Sequence, residues 1–462
     1  MPSKSNWRGS LPSILALAAA TLLVAGCTSG SNTISNPNAK TGSTFVVGTD
    51  APIAAVTSFS VQVQSVAATD SNNNTVQLVS GSPTVDFARF NGLQTLLDMN
   101  DVPEGTYNTI TITLGAGTIG YLDTTTAEPT IQTEAATLTT NTITVPLTNP
   151  LIVATGGAPV GLRMDFDLRK SIGVDTNGQV TGTVTPTFNI KTVANSDPGA
   201  YIDEFDAAVV SVDAGTQSFV IQGPHGRQFT VNVDGQTEWD GSATLSDLST
   251  SSIVQISGSL DRADATIDAD EVAILSQSGF YAAGQVTYVT PPTGAASSFD
   301  LYVRGTLPTG TGVSLGQIAT VDLSGSEKYS IYWMHGPLAQ FLFNSTNMIP
   351  GQHVAVGGPA SGAANGSAVT VNRVVLRDWG FNGTVVANSV SASADSFKMQ
   401  VNGFAGVLIP QTVTVYVTNA CKFRDGFSAL GDVTAKVRVV GLLLKDSSGN
   451  PVIVGHYVDD LN

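Results

Sequence analysis

Apolar and polar residues alternate with a period of two over long stretches of this chain. Phe59, Val61 and Val63 alternate with polar neighbours, as do Ile110, Ile112 and Leu114. Leu162, Met164, Phe166 and Leu168 do the same, with Arg163, Asp165, Asp167 and Arg169 on the opposite face. Such alternation predicts half-buried β-strands. Asn177-Gly178, between Val174 and Val180, suits a tight hairpin turn. Val102-Pro103-Glu104-Gly105-Thr106-Tyr107 reads as a turn feeding a strand, and Phe87 to Leu97 as a short helix. For residues 44–193 the economical solution is a sandwich of two antiparallel sheets.

After Asp197-Pro198-Gly199 a pattern recurs three times. Ser218-Phe219, Ser298-Phe299 and Ser396-Phe397 each open a strand. Val231, Val233, Thr237 and Trp239 then align without gaps on Val321, Leu323, Glu327 and Tyr329, and on Val415, Val417, Cys421 and Phe423. A third block reads Val254-x-Ile256-x-Gly258, Val354-x-Val356-x-Gly358 and Val437-x-Val439-x-Gly441. Each unit has about five strands and at most one short helical turn (Leu245 to Leu248, Phe427 to Leu430) before the fourth, an order that fits a small OB-like barrel. The expected organisation is all-β: a sandwich at 44–193, then barrels at 205–276, 280–378 (with insertions) and 379–462. Units with their own inward faces are expected to behave as small domains on a string, so that excising 379–462 should leave the others folded.

The first 26 residues have another character. Lys4 and Arg8 precede an apolar run from Ile14 to Ala25, too short to span a membrane comfortably. Leu23-Val24-Ala25-Gly26-Cys27 closes it and resembles a bacterial lipobox. The resemblance implies a signal peptide over 1–26 and lipid on Cys27, which becomes the first mature residue. Thr28, where inner-membrane lipoproteins often carry Asp, points within that resemblance to the outer membrane or cell surface. Residues 27–43, rich in Ser, Asn, Thr and Gly, read as a flexible spacer.

Two further resemblances concern the folded body. Thr49-Asp50-Ala51-Pro52, Val102 to Tyr107, and Asp165-Phe166-Asp167 with Lys170-Ser171 occur in order, and residues 44–193 resemble an uncharacterised domain of bacterial lipoproteins, domain of unknown function 4382. Residues 205–460 more weakly resemble a second uncharacterised family of repeated β-domains in exported bacterial proteins, domain of unknown function 5666. The second unit departs most, with an insertion from Gly305 to Ile318 and an extension from Tyr332 to Phe343. These resemblances imply architecture and a cell-envelope location, and no activity.

Composition narrows the partners. Charged residues are only 12% of the 462, and the net charge is −16. Residues 1–26 carry two basic and no acidic residues, so their removal leaves −18. Such a surface repels phosphate backbones and anionic lipid heads, which argues against nucleic acid and leaves anchoring to the lipid. Lipidation of Cys27 leaves Cys421 without a partner, and Cys421 reads as a packed thiol.

Candidate chemistry is sparse. Gly312-Val313-Ser314-Leu315-Gly316 has the G-x-S-x-G spacing but lies in a Gly/Thr-rich insertion rather than between strand and helix. Gly115 to Gly120 has the G-x-G-x-x-G spacing with no helix pattern after it. His225, His335, His353 and His456 lack metal-ligand spacing. Asp70, Asn72 and Asn74 begin like a calcium loop, but Thr75 stands where glycine is needed, so a hairpin tip is expected. Asp261, Asp264, Asp268, Asp270 and Glu271 form an acidic cluster that is a weak calcium candidate. Tyr332 and Trp333 lie in the extension of the second unit and are the candidate ligand-contact rings, with at least one expected to be exposed. No coherent set of nucleophile, base and orienting group stands out. The expectation is a non-enzymatic binding or structural module of the cell envelope, without cofactor, whose partner is a glycan or another envelope protein. The alternatives are an accessory lipoprotein of an export or assembly complex and, third, an envelope hydrolase.

Overall fold

The computed structural model describes residues 40–51, 56–123, 130–176, 179–196, 200–223, 226, 228–240, 242–260, 266–308, 312–332, 341–359, 369–409 and 412–461. Cys27 and the residues before it, Asp261, Asp264, Trp333, His225 and His335 lie outside them.

The chain is all-β. In the N-terminal part the period-two residues do what their spacing predicts: Phe59, Val61, Val63, Ile110, Ile112, Leu162, Met164 and Phe166 are all fully buried. They close two sheets over one core, where the ring of Phe166 lies 5.0 Å from Phe59, 5.2 Å from Phe87 and 4.6 Å from Phe188. One sheet has the order Phe188–Ala194, Val160–Asp167, Thr41–Ala51, Thr95–Pro103. The other is built on Val56–Asp70 and Gly105–Asp123, flanked by Thr75–Gln77, Thr84–Asp86, Thr130–Ala135 and Thr142–Val153.

The sandwich departs from the sequence expectations at several points. Thr41–Ala51 and Val160–Asp167 run parallel, Thr44 facing Val160, so this sheet is mixed rather than antiparallel. The chain between these strands travels through the other sheet, and a long crossover is what parallel neighbours require. The first strand already pairs at Thr41, Gly42 and Ser43, opposite Pro103, Val102 and Asp101, inside the segment read as spacer. Phe87 to Leu97 is not a helix: a single 3-10 turn, Phe87–Phe90, gives way to a strand from Thr95. Asn91-Gly92 stops it, with Gly92 at φ +82°, a conformation that ends helices. Of the hairpin read around Asn177-Gly178, the flanks pair with Val174 opposite Val180, while the dipeptide lies outside the described residues. At Asp70 the carboxylate accepts from the backbone of Asn72 and Asn74, both at 2.8 Å, closing a hairpin tip as expected.

The three C-terminal units share one connectivity. In the first, Ile202–Asp213, Ser218–Gln222 and Gln228–Asn232 form a meander. Ile253–Leu260 pairs with the first strand, and Ile267–Ser276 pairs with the fourth and runs parallel to the third. The second unit repeats this from Gly279–Thr290 to Arg373–Arg377, with Val321 of its third strand meeting Val369 in the short strand Val369–Thr370 that precedes Arg373–Arg377. In the third, Trp379–Val385 to Pro451–Asp460 forms a closed barrel. The recurring phenylalanines occupy equivalent places: Phe219 faces Val231, Phe299 faces Val321 and Phe397 faces Val415, each ring at most 1% exposed.

The recurring glycine has a steric reason. A Cβ on Gly258, Gly358 or Gly441 would stand 2.1, 2.7 or 2.1 Å from a backbone oxygen of the adjoining strand (Asp268, Thr370 and Val454). Close backbone approach at a bend is where a strand requires glycine.

The units are not beads on a string. Val440 and Tyr457 of the third unit lie in the sandwich core, and Leu442, Leu444, Val452 and Val454 join the core of the second unit. Phe45, Val47, Leu96 and Met99 of the sandwich pack into the core of the first unit. Each unit therefore exposes an apolar outer face that a neighbour covers, which sequence periodicity within one unit cannot reveal.

Candidate functional site: a buried polar junction

Where the four parts meet, the chain buries charge. In Ile202–Asp213 the first residue is followed by Asp203-Glu204-Phe205-Asp206, all four buried. Arg377 ends the strand Arg373–Arg377 and is 0% exposed. Its Nη2 lies 3.1 Å from both Glu204 Oε2 and Asp206 Oδ1. Arg89, from the 3-10 turn of the sandwich, reaches the same carboxylates through its own Nη2, at 3.2 Å from Glu204 and in close contact with Asp206. The Tyr281 hydroxyl donates to Asp206 Oδ2 at 2.5 Å. Burial raises the Asp206 carboxyl, but Arg377 and Arg89 outweigh it and hold the group well below the usual carboxylate range. Burial, then Asp206, raises the Tyr281 phenol.

A second buried cluster adjoins it. Asp203 accepts from the Gln94 backbone at 2.9 Å and from the Tyr457 hydroxyl at 3.2 Å. Burial pushes its carboxyl up to about 7, against the pull of Arg424. His456 Nδ1 lies 2.8 Å from Asp378 Oδ2, and His353 donates from Nδ1 to the Asp378 carbonyl at 2.8 Å. Burial, then Arg377, holds the His353 imidazole well below its ordinary range. Both histidines described are thus bound to Asp378, and among the described residues no group of His, Cys, Asp and Glu could hold a metal ion.

One short stretch, residues 86–94, touches every unit. Asp86 pairs with Arg304 of the second unit at 3.2 Å, and Arg304 lies 4.6 Å from the centre of the Trp379 ring. Arg89 binds the first unit through Glu204 and Asp206. Asn91 donates to the Gly380 carbonyl at 3.0 Å, and the Gly92 carbonyl accepts from Arg424 of the third unit at 3.1 Å. The Gln94 carbonyl accepts from the backbones of Asp203 and Glu204. Between the sandwich and the first two units a cavity of about 320 Å³ opens beside Arg89.

The expected site residues are placed differently. Tyr332 is 4% exposed, and its hydroxyl contacts Ser257 of the first unit. Rather than a ligand platform it is a ring wedged between units, and burial raises its phenol strongly. In the acidic cluster, strand alternation turns Asp268 and Asp270 outward while Glu271 is buried, so these three do not converge. Gly115 to Gly120 lie inside the strand Gly105–Asp123, and Gly312 to Gly316 lead into the strand Ile318–Asp322, so neither spacing opens a helix. Cys421 is partly buried and free, and burial, then Asp459, pushes its thiol up to about 12, as a packed thiol requires.

Sequence reasoning missed Arg89, Glu204, Asp206 and Arg377. A trace existed: Val374-Val375-Leu376-Arg377 and Ile202-Asp203-Glu204-Phe205-Asp206 carry charge inside apolar strand ends. Their partners are more than a hundred residues away, beyond any local pattern.

No curated protein and no solved structure matches this chain. Residues 41–186, all of the sandwich but its last strand, match the family model described as Domain of unknown function (DUF4382), and this part of the chain is similar to that family.

Proposed function

We propose that this protein is an exported lipoprotein, held at the outer membrane or cell surface through lipid on Cys27, whose folded body is a non-enzymatic binding or structural module for a glycan or another envelope protein. The lipobox-like Leu23 to Cys27 supports the anchor. Among the described residues no helix is long and apolar enough to cross a membrane. The shared connectivity of the three C-terminal units supports reading them as OB-like barrels akin to domain of unknown function 5666.

The observation that carries the module reading is the junction. Arg89 and Arg377 are committed to Glu204 and Asp206, across three parts of the chain. Charges bound to each other in this way fix the parts in one mutual geometry, which suits presentation of a fixed surface. A general acid or base has to face a substrate with its proton exchangeable.

The test is a pull-down from solubilised envelope with the mature chain. Retained glycan or a single envelope protein is the expected result, a stoichiometric multi-protein assembly would favour the accessory role, and hydrolytic turnover would overturn the reading. For the anchor, a mature N-terminus at residue 27 with added lipid mass is expected. Cys27→Ser should leave the signal uncleaved by the lipoprotein peptidase.

A further inference from the structure

We propose that the cavity between the sandwich and the first two C-terminal units binds a small amphipathic carboxylate, its head group on Arg89 and its apolar part against Leu96, Leu97, Phe229, Leu307 and Leu315. The proposal deepens the module reading, on which it rests, by naming a ligand class and a site.

The size is that of a ligand pocket: about 320 Å³, at the low end of the usual range and at a domain interface, where such sites gather. The wall is mostly apolar, and Leu315 stands 43% exposed beside it. With Leu96, Leu97, Phe229 and Leu307 this leucine gives an occupant a hydrocarbon surface to lie against.

The charged groups in the wall are not equally reachable. Glu204 and Asp206 side chains are 1% and 4% exposed, and Arg304 and Asp86, paired with each other, are 2% and 5%. Arg89 is 13% exposed, the most open of the five. Its hydrogen bonds to the two carboxylates leave through Nη2. Its Nη1 lies beside Gly305, where a Cβ would stand 3.1 Å from it and 2.8 Å from Tyr281 Oη. The residue that borders this guanidinium edge is therefore one without a side chain, as where a ligand comes close. Asp86, Glu204 and Asp206 also line the cavity, but the Arg89 guanidinium is the charged group most open to it, with Glu204 and Asp206 held against its Nη2. A guanidinium and a carboxylate form charge-assisted hydrogen bonds, roughly twice as strong as neutral ones.

The test is calorimetric titration of hexanoate, decanoate and tetradecanoate into the chain lacking residues 1–27; every sheet described is built within residues 41–460. Decanol and decanamide serve as uncharged controls. Arg89 also holds Glu204 and Asp206, so the blocking substitution is placed at the rim instead, as Thr84→Trp or Ser82→Trp. Saturable one-to-one binding of at least one acid is expected, with the uncharged analogues weaker by roughly tenfold or more. Either rim variant should abolish it with the melting temperature unchanged. Absence of saturable binding by any of the acids, equal binding of decanol and decanoate, or undiminished binding in a folded rim variant would each overturn the proposal. A flat titration with an envelope partner still retained in the pull-down removes the pocket and leaves the module reading standing.

Discussion

Removing the Arg377 guanidinium would leave the Glu204 and Asp206 carboxylates, only 1% and 4% exposed, with Arg89 as their remaining cation. Breaking one side of a buried ion-pair set costs ~3–5 kcal/mol, although the intact set adds little net stability. Arg377→Met should therefore lower the unfolding free energy by an amount in that range, measured in urea. Asp203 gives a pH signature. Its folded pKa of about 7 lies above the ordinary 3.8, so its contribution is full below 3.8 and is lost as pH rises through 7. His353 acts oppositely: its imidazole is depressed, so the unfolded chain takes up a proton first as pH falls below the ordinary 6.5. The test is thus a difference. Wild type minus Asp203→Asn stability should decline between about pH 4 and about pH 7 and level off above, and a flat difference would refute the assignment. Single residues were legible in the sequence where burial tracks strand periodicity, as for Phe219 or Phe166. Arg377 was not, because a charge's burial is decided by partners brought from elsewhere.

At the scale of elements, residues 86–94 work as a keystone because their backbone and side chains are shared among three neighbours. Gly380 lies against them so closely that a Cβ would stand 2.2 Å from the Asn91 carbonyl oxygen. Gly380→Ala should cost ~1–3 kcal/mol, the usual range for overpacking, whereas Gly431→Ala, with nothing within 4 Å of its Cβ, should cost little. Comparing the two melting temperatures checks this. The strands of the C-terminal units were readable because each carries its own marks: a buried phenylalanine early and a steric glycine late. The keystone was misread as a helix because Phe87-Ala88-Arg89-Phe90 does begin a helical turn. The path of the chain beyond that turn is set by Asn91-Gly92 and by contacts the local pattern does not contain.

For the whole molecule, the shared cores replace the expected independence of parts. A chain ending at residue 378 would strip Val440 and Tyr457 from the sandwich and Leu442, Leu444, Val452 and Val454 from the second unit. It should unfold at lower denaturant than the full chain, bind more of an apolar dye and lose the single transition. The interfaces were illegible for a plain reason: an apolar residue on the outer face of a barrel and one on its inner face look alike in a string of letters.

The bond from Arg424 to the Gly92 carbonyl joins residues 332 positions apart, and this has a temporal meaning. A polypeptide is made from its N-terminus, and large proteins fold part by part as they emerge. The sandwich is made before all three units that hold its keystone, and Gly380 and Arg424 follow that keystone by almost three hundred residues or more. During that interval Arg89, Gly92 and the apolar faces awaiting Val440 and Tyr457 stand open to solvent and proteases. Resistance to a pulse of protease is therefore expected to arrive late and abruptly, once the final strand has been threaded into place.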